Sequence, residues 1–200
     1  MELYVAGATA LLEEQQLQLA THFGCDAQQF KKKSVNVSDV GSVVWNEVQD
    51  KAKLKVIPYT GHIVATELEK PPPFGWDDRV ERSQADRYLP HMRKYLPMST
   101  WDYELVDVAN RHPTLLRVRG LAKQTGYDFS GTSDVAIVLK QSARIDQPAG
   151  GLRIVFELKR NASQDDHYQA LITLLLSNQL SGSLKPIVVV TDLNEHYCCY

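Results

Sequence analysis

The stretch Arg153-Ile154-Val155-Phe156-Glu157-Leu158-Lys159 decides how this chain is read. An unbroken apolar run with β-branched and aromatic residues predicts a strand over residues 152–158. Side chains alternate across a strand, so Ile154, Phe156 and Leu158 share one face while Val155, Glu157 and Lys159 share the other. An acid and a base thus stand side by side at the end of an otherwise apolar strand. Desolvating them costs several kcal/mol per ion unless they are paired or hold a metal. Taken alone, Glu-x-Lys occurs in many strands and reads first as an exposed strand end.

Working outward, Asp134-Val135-Ala136-Ile137-Val138-Leu139 is a second short strand run, introduced by Ser130-Gly131-Thr132-Ser133. Gln147-Pro148-Ala149-Gly150-Gly151 between the runs is turn chemistry. The two runs are therefore expected to pair as an antiparallel hairpin with a long connection. Residues 163–180 have helical composition, with Tyr168, Leu171, Ile172, Leu175 and Leu176 as apolar positions and Gly182 as the stop. Pro186-Ile187-Val188-Val189-Val190 is the continuous apolar run of a buried, often parallel strand. A further strand-like run starts at His196, and the sequence ends inside it, as a piece of a longer protein would or as a terminal strand would.

Upstream, residues 10–21 read as a helix stopped near Gly24, and Lys31 to Lys33 lead into a solvated connection. Residues 42–48, 54–57 and 62–66 lean towards strand. Pro71, Pro72 and Pro73 with Gly75 form a break, since proline fixes φ and lacks a donor. A subdomain boundary is expected there, separating an α+β region (1–70) from a second domain (71–200). After it, residues 78–96 read as a helix capped by Asp77 or Asp78 and ended or kinked by Pro90, with Tyr88, Leu89, Met92, Tyr95 and Leu96 as its apolar side. Residues 101–118 hold β-leaning pieces of unassigned register.

Composition sets outer limits. The 200 residues suffice for one domain or two small ones, and 44% hydrophobic with 23% charged residues is ordinary for a globular protein. A net charge of −2 argues against coating nucleic acid by bulk charge, though a local basic face remains open. No apolar stretch reaches membrane-spanning length, so no membrane partner is expected. The N-terminus lacks a basic region before its short apolar run and does not read as a cleaved signal. Cys25, Cys198 and Cys199 have no metal-ligand spacing, which favours a reducing, intracellular compartment. Asn36 and Asn161 begin glycosylation sequons that matter only for a secreted chain.

Asp134 changes the weight of Glu157 and Lys159. If the hairpin pairs, the Asp134 and Glu157 carboxylates can converge, and Mg²⁺ or Mn²⁺ with oxygen ligands resolves their repulsion. Such an ion lowers the pKa of bound water and stabilises charge developing on a phosphate. Lys159 would orient the attacking water and offset transition-state charge.

Asp134, an interval of about twenty residues carrying a turn, and Glu157-Leu158-Lys159 together resemble the PD-(D/E)XK signature of the restriction-endonuclease-like superfamily. Ser133 stands where the motif name has proline. The resemblance covers roughly residues 78–200, with nothing recognised in residues 1–70. It implies an α/β fold whose core runs helix, three strands, helix, strand around a mixed central sheet. It also implies divalent-metal-dependent hydrolysis of phosphodiester bonds. Asp134 and Glu157 would be metal ligands, joined by Glu81 from the first helix, with Lys159 catalytic and Gln169 assisting from the helix after the lysine.

More narrowly, Gly131-Thr-Ser-Asp-Val-Ala136, Phe156-Glu-Leu-Lys159 and Val190-Thr-Asp-Leu-Asn194 look like the C-terminal domains of Crinkler-type effectors. That likeness implies a nuclease acting in a host-cell nucleus. The family's secreted leader and N-terminal motif are absent, as in an excised domain.

Other features have plainer readings. Glu81 lies among Arg79, Arg82 and Arg87, where surface pairing is the default. Gln169 on an amphipathic helix is by default solvated, and His167, a lone helix histidine, is by default neither ligand nor base. Asp128 competes with Asp134 but sits in what reads as a turn. Arg79, Arg82, Arg87, Arg93 and Lys94, with Arg111, Arg117, Arg119 and Lys123, either contact phosphates or are neutralised within the fold. Trp45, Trp76 and Trp101 read as packing residues. No phosphate loop, zinc motif or Ser-His-Asp set is present. DNA is the expected partner ahead of RNA. The alternative is a non-catalytic interaction module that holds nucleic acid or a protein, with residues 1–70 as the interface.

Overall fold

A computed structural model describes residues 33–57, 71–96, 102–118, 121–161 and 163–200. The helix expected over residues 10–21 and the strand expected over 62–66 lie outside them, as do Cys25, Trp101 and Arg119. Seven strands are described: β1 (Lys33–Asn36), β2 (Tyr103–Asp107), β3 (Tyr127–Ser130), β4 (Val135–Leu139), β5 (Leu152–Leu158), β6 (Ile187–Thr191) and β7 (Tyr197–Cys199). The three main helices are α1 (Ser42–Ala52), α2 (Ala85–Tyr95) and α3 (Gln164–Ser181), with short helical turns between. The result is an α/β fold around a mixed five-stranded sheet of order β2-β4-β5-β6-β7; β1 and β3 form a separate small pair.

The expected hairpin is present: β4 runs antiparallel to β5, with Val135 opposite Phe156. Because α3 carries the chain back across the sheet, β6 adds parallel to β5, with Glu157 opposite Val190. Strands β2 and β7 close the two edges antiparallel to β4 and β6.

Alternation sorts the strand residues between two layers. Leu105, Val135, Ile137, Phe156, Leu158 and Val189 meet Tyr88, Leu89 and Met92 of α2. Val106, Ala136, Val138, Val155, Val188 and Val190 meet the other layer, which includes Ala170 of α3. Helix α3 is apolar on a second side as well, where Leu171, Ile172 and Leu176 pack with Trp45 and Val48 of α1. A helix sandwiched this way needs apolar residues around most of its girth. Ser163 caps it in a capping box with Asp166, and Gly182 ends it.

Several expectations are corrected. Residues 42–48 are not a strand but the start of α1. Val43 and Val44 favour strand locally, yet Trp45 and Val48, one turn apart, bury a helical face while Val43 is 71% exposed. Residues 54–57 take no regular structure. The helix expected from residue 78 begins later: a 3-10 turn over Glu81–Gln84 precedes α2. Neither Asp77 nor Asp78 caps it, because Asp77 is taken by Arg79 and Arg87. Pro90 does not end α2, which continues to Tyr95 with the proline on its exposed side. Asp128 lies in β3, not in a turn. Residues Ser34–Tyr200 cluster as one compact unit.

Candidate active site

Glu157 occupies the last turn of the pleat in β5, and only 2% of it is exposed. Its partners are all neutral donors. Ser133 Oγ and Thr173 Oγ1 donate to its Oε1 at 2.9 and 3.1 Å, and Gln169 Nε2 donates to its Oε2 at 2.9 Å. Thr173 and Gln169 lie one turn apart on α3, whose sheet-facing side is therefore polar at this point.

Asp134 precedes β4. Its N–H donates to Phe156 O at 3.2 Å, and its Oδ2 accepts the Leu158 N–H at 2.7 Å. The carboxylate takes the place of a backbone acceptor where the β4–β5 ladder ends, which fixes Asp134 against the Glu157 segment. Lys159 Nζ donates to Gln169 Oε1 at 3.0 Å and pairs with Asp166 Oδ1 at 3.1 Å. Since a lysine only donates, Gln169 must turn its oxygen to Lys159 and its NH₂ to Glu157. Gln169 is thus a bridge between the buried acid and the ammonium.

The electrostatics follow from this packing. Burial pushes the Glu157 carboxyl up to about 8, and the Asp134 charge pushes in the same direction, while Lys159, Ser133 and Thr173 oppose. Burial likewise raises Asp134 to about 6, against the Leu158 N–H and Lys159, with Glu81 adding to the rise. For Lys159, burial works to lower the pKa, but Glu157, Asp166 and Asp134 outweigh it and hold the ammonium above its usual range. For Asp166, burial raises the pKa, yet the Ser163 donors and Lys159 prevail and keep it ionised.

Glu81 is near enough to Asp134 for its charge to be felt there, but its Oε1 accepts the Arg160 N–H at 3.2 Å. Among the described residues, no group of three or more His, Cys, Asp or Glu side chains is gathered as an ion-holding set. The structure therefore brings Asp134, Glu157, Lys159 and Gln169 into one network and leaves Glu81 at its margin.

No protein-family model, curated protein or solved structure matches this chain. Its chemistry has to be read from its own residues.

Thr173 and Asp166 have no counterpart in the sequence reading, and Ser133 figures there only at the motif's proline position. Single hydroxyls and a helix-cap acid carry little signal on their own. The available cue was periodic, since Asp166, Gln169, Thr173 and Ser177 recur every three or four residues along α3. Tyr88, read as an apolar helix position, has a fully buried hydroxyl without a hydrogen-bond partner among the described residues. Burial and then the Asp134 charge raise its pKa.

Other candidates are placed elsewhere. His167 Nδ1 meets the Tyr200 hydroxyl at 3.0 Å and takes no part in the network. Arg79 and Arg87 pair with Asp77, Arg82 bonds Ala109 O, and Arg111 pairs with Asp146. Arg79, Arg87 and Arg111 are thus paired with acids within the fold. Trp45 and Trp76 are packing residues, Trp76 also donating to Asp192 O at 2.8 Å.

Proposed function

We propose that this chain is a divalent-metal-dependent nuclease of the PD-(D/E)XK type, with DNA as its substrate. The observation that carries this reading is geometric: buried Glu157 and Asp134, which accepts the Leu158 N–H, lie at the end of one strand pair, with Lys159 tied to Glu157 through Gln169. Without a cation, burial favours a proton on Glu157, and the Asp134 charge adds to that preference. Mg²⁺ or Mn²⁺ fits the donor set, because such ions are commonly held by one or two carboxylates, with water and substrate phosphate filling the remaining positions. Asp134 and Glu157 would hold it, with Glu81, which gives Oε1 to the Arg160 N–H, as the further carboxylate nearby.

When bound, the ion supplies an acidified water and a counter-charge for the phosphate. The chain's own residues do the rest. Lys159, kept charged by Asp166 and Glu157, presents an ammonium to the attacking oxygen and to the developing phosphate charge. Gln169 holds Lys159 and Glu157 in register, and the Ser133 and Thr173 hydroxyls fix the Glu157 carboxylate. The order α2, β2, β4, β5, α3, β6 also supports the reading, since it runs helix, three strands, helix, strand. The residues resembling Crinkler effector domains extend the proposal to action in a host-cell nucleus.

The test is digestion of duplex and single-stranded DNA by the purified chain. Cleavage is expected with Mg²⁺ or Mn²⁺, none in excess EDTA, and none in Glu157→Ala or Lys159→Ala variants that remain folded by circular dichroism. Undiminished cleavage in both variants overturns the assignment.

One observation favours a second reading, a non-catalytic module that binds nucleic acid or a protein partner. Both oxygens of Glu157 already have neutral partners, so the site can rest as a protonated hydrogen-bonded cluster. DNA affinity that survives EDTA, with no cleavage in either metal, selects this alternative. Among the described residues no helix is long and apolar enough to cross a membrane.

A further inference from the structure

The β4–β5 pairing contains an irregularity away from the acidic site. Ile137 pairs with Ile154, but Val138 pairs with Leu152, so Arg153 is an extra residue with no partner on β4. A bulge of this kind re-aims a side chain that the alternating pleat would have sent to the other face. Here it brings the Arg153 guanidinium over the Tyr103 ring, at 5.6 Å from its centre.

Arg153 and Tyr103 line a groove of about 290 Å³ with Ile137, Ile154, Ile187 and Lys185. Three of its six lining residues are isoleucines, and Ile187 is 42% exposed. The charged groups that line it, Arg153 and Lys185, are both cationic. Neither Arg153 nor Lys185 has an ion pair or hydrogen bond among the described residues, and Arg153 Nε is buried without a partner. A buried donor left unpaired costs free energy, and a guanidinium is the cation best matched to a carboxylate.

We propose that this groove binds a small apolar carboxylic acid, its carboxylate on Arg153 and Lys185 and its hydrocarbon body against Ile137, Ile154 and Ile187. The volume equals about ten water molecules, at roughly 30 Å³ each, which suits an acid of about that many non-hydrogen atoms. Carboxylate is favoured over ammonium or a neutral head because both charges at the groove are positive and unpaired. The inference is independent of the nuclease reading, since none of its residues belongs to the Glu157 network.

The experiment is a titration of the ¹⁵N-labelled chain with octanoate, followed by two-dimensional NMR. Octanol is the control for the tail alone and acetate for the charge alone. Octanoate is expected to shift the amides of Tyr103, Arg153, Ile154 and Ile187 saturably, at least tenfold more tightly than octanol or acetate. Arg153→Met keeps the apolar stem and should bring octanoate down to the octanol level, with the spectrum otherwise preserved. Equal affinity for octanoate and octanol, unchanged octanoate binding by Arg153→Met, or no localised shift overturns the proposal.

Discussion

Replacing Glu157 with glutamine should stabilise the metal-free protein, and increasingly so as pH rises. The carboxyl takes its proton near pH 8 in the fold against 4.5 for the free group. Between those values the folded chain keeps a proton that the unfolded chain has released, so stability falls with rising pH across this window. One fully retained proton corresponds to about 1.4 kcal/mol per pH unit, which accumulates to on the order of 3 kcal/mol between pH 4.5 and 7. Glutamine carries no charge to desolvate. Its oxygen can accept from Gln169 Nε2, and its amide can donate to the Ser133 and Thr173 hydroxyls, which accept as readily as they donate. Urea unfolding in EDTA at pH 5 and pH 7 measures the difference. Near-equal stability at pH 5, with the variant ahead by a few kcal/mol at pH 7, is expected. A difference independent of pH, or a variant weaker at pH 7, refutes the view of Glu157 as a strained buried acid.

Other perturbations test the remaining parts. Gln169→Leu breaks the bridge between Lys159 and Glu157 and should weaken Mn²⁺ affinity by roughly 10–100-fold, as loss of supporting contacts does elsewhere, read by calorimetry. Lys159→Met should reduce DNA cleavage by at least about 100-fold, the scale of losing one charge-stabilising donor, while leaving the circular dichroism spectrum unchanged. Thr173→Val removes one donor to the Glu157 carboxylate and should cost about 1 kcal/mol in urea unfolding at pH 8.5, where Glu157 is ionised, and less at pH 5. Pro90→Ala restores a backbone donor inside α2 and should stabilise the fold by on the order of 1–3 kcal/mol, seen as a raised Tm; an unchanged or lowered Tm counts against it.

The sheet was legible because its strands are written in long runs. Val135 to Leu139, Leu152 to Leu158 and Ile187 to Val190 are bounded by turn residues and, apart from exposed Ile187 and half-buried Leu139, Arg153 and Ile154, are buried. The acidic pair and Lys159 were legible for the converse reason, as charged residues at the end of such a run. Residues 42–48 misled because Val43-Val44 carries strand propensity, while the deciding contact, Trp45 and Val48 against α3, is tertiary. The late start of α2 depends on Gln84. Its buried amide bonds the backbone of Asp77 and Arg79 and holds residues 77–80 out of the helix. The hydroxyls around Glu157 come from Ser133 and Thr173, 40 residues apart in the sequence, and only the fold brings them together.

Calorimetric titration of the wild-type chain with Mn²⁺ at pH 7, in buffers of different ionisation enthalpy, tests the metal site most directly. Glu157 is expected to lose its proton on binding, so about one proton should be released per Mn²⁺, and Glu157→Gln should show neither binding nor release. An absence of binding by the wild type, or identical heats from the variant, would contradict an ion held between Asp134 and Glu157.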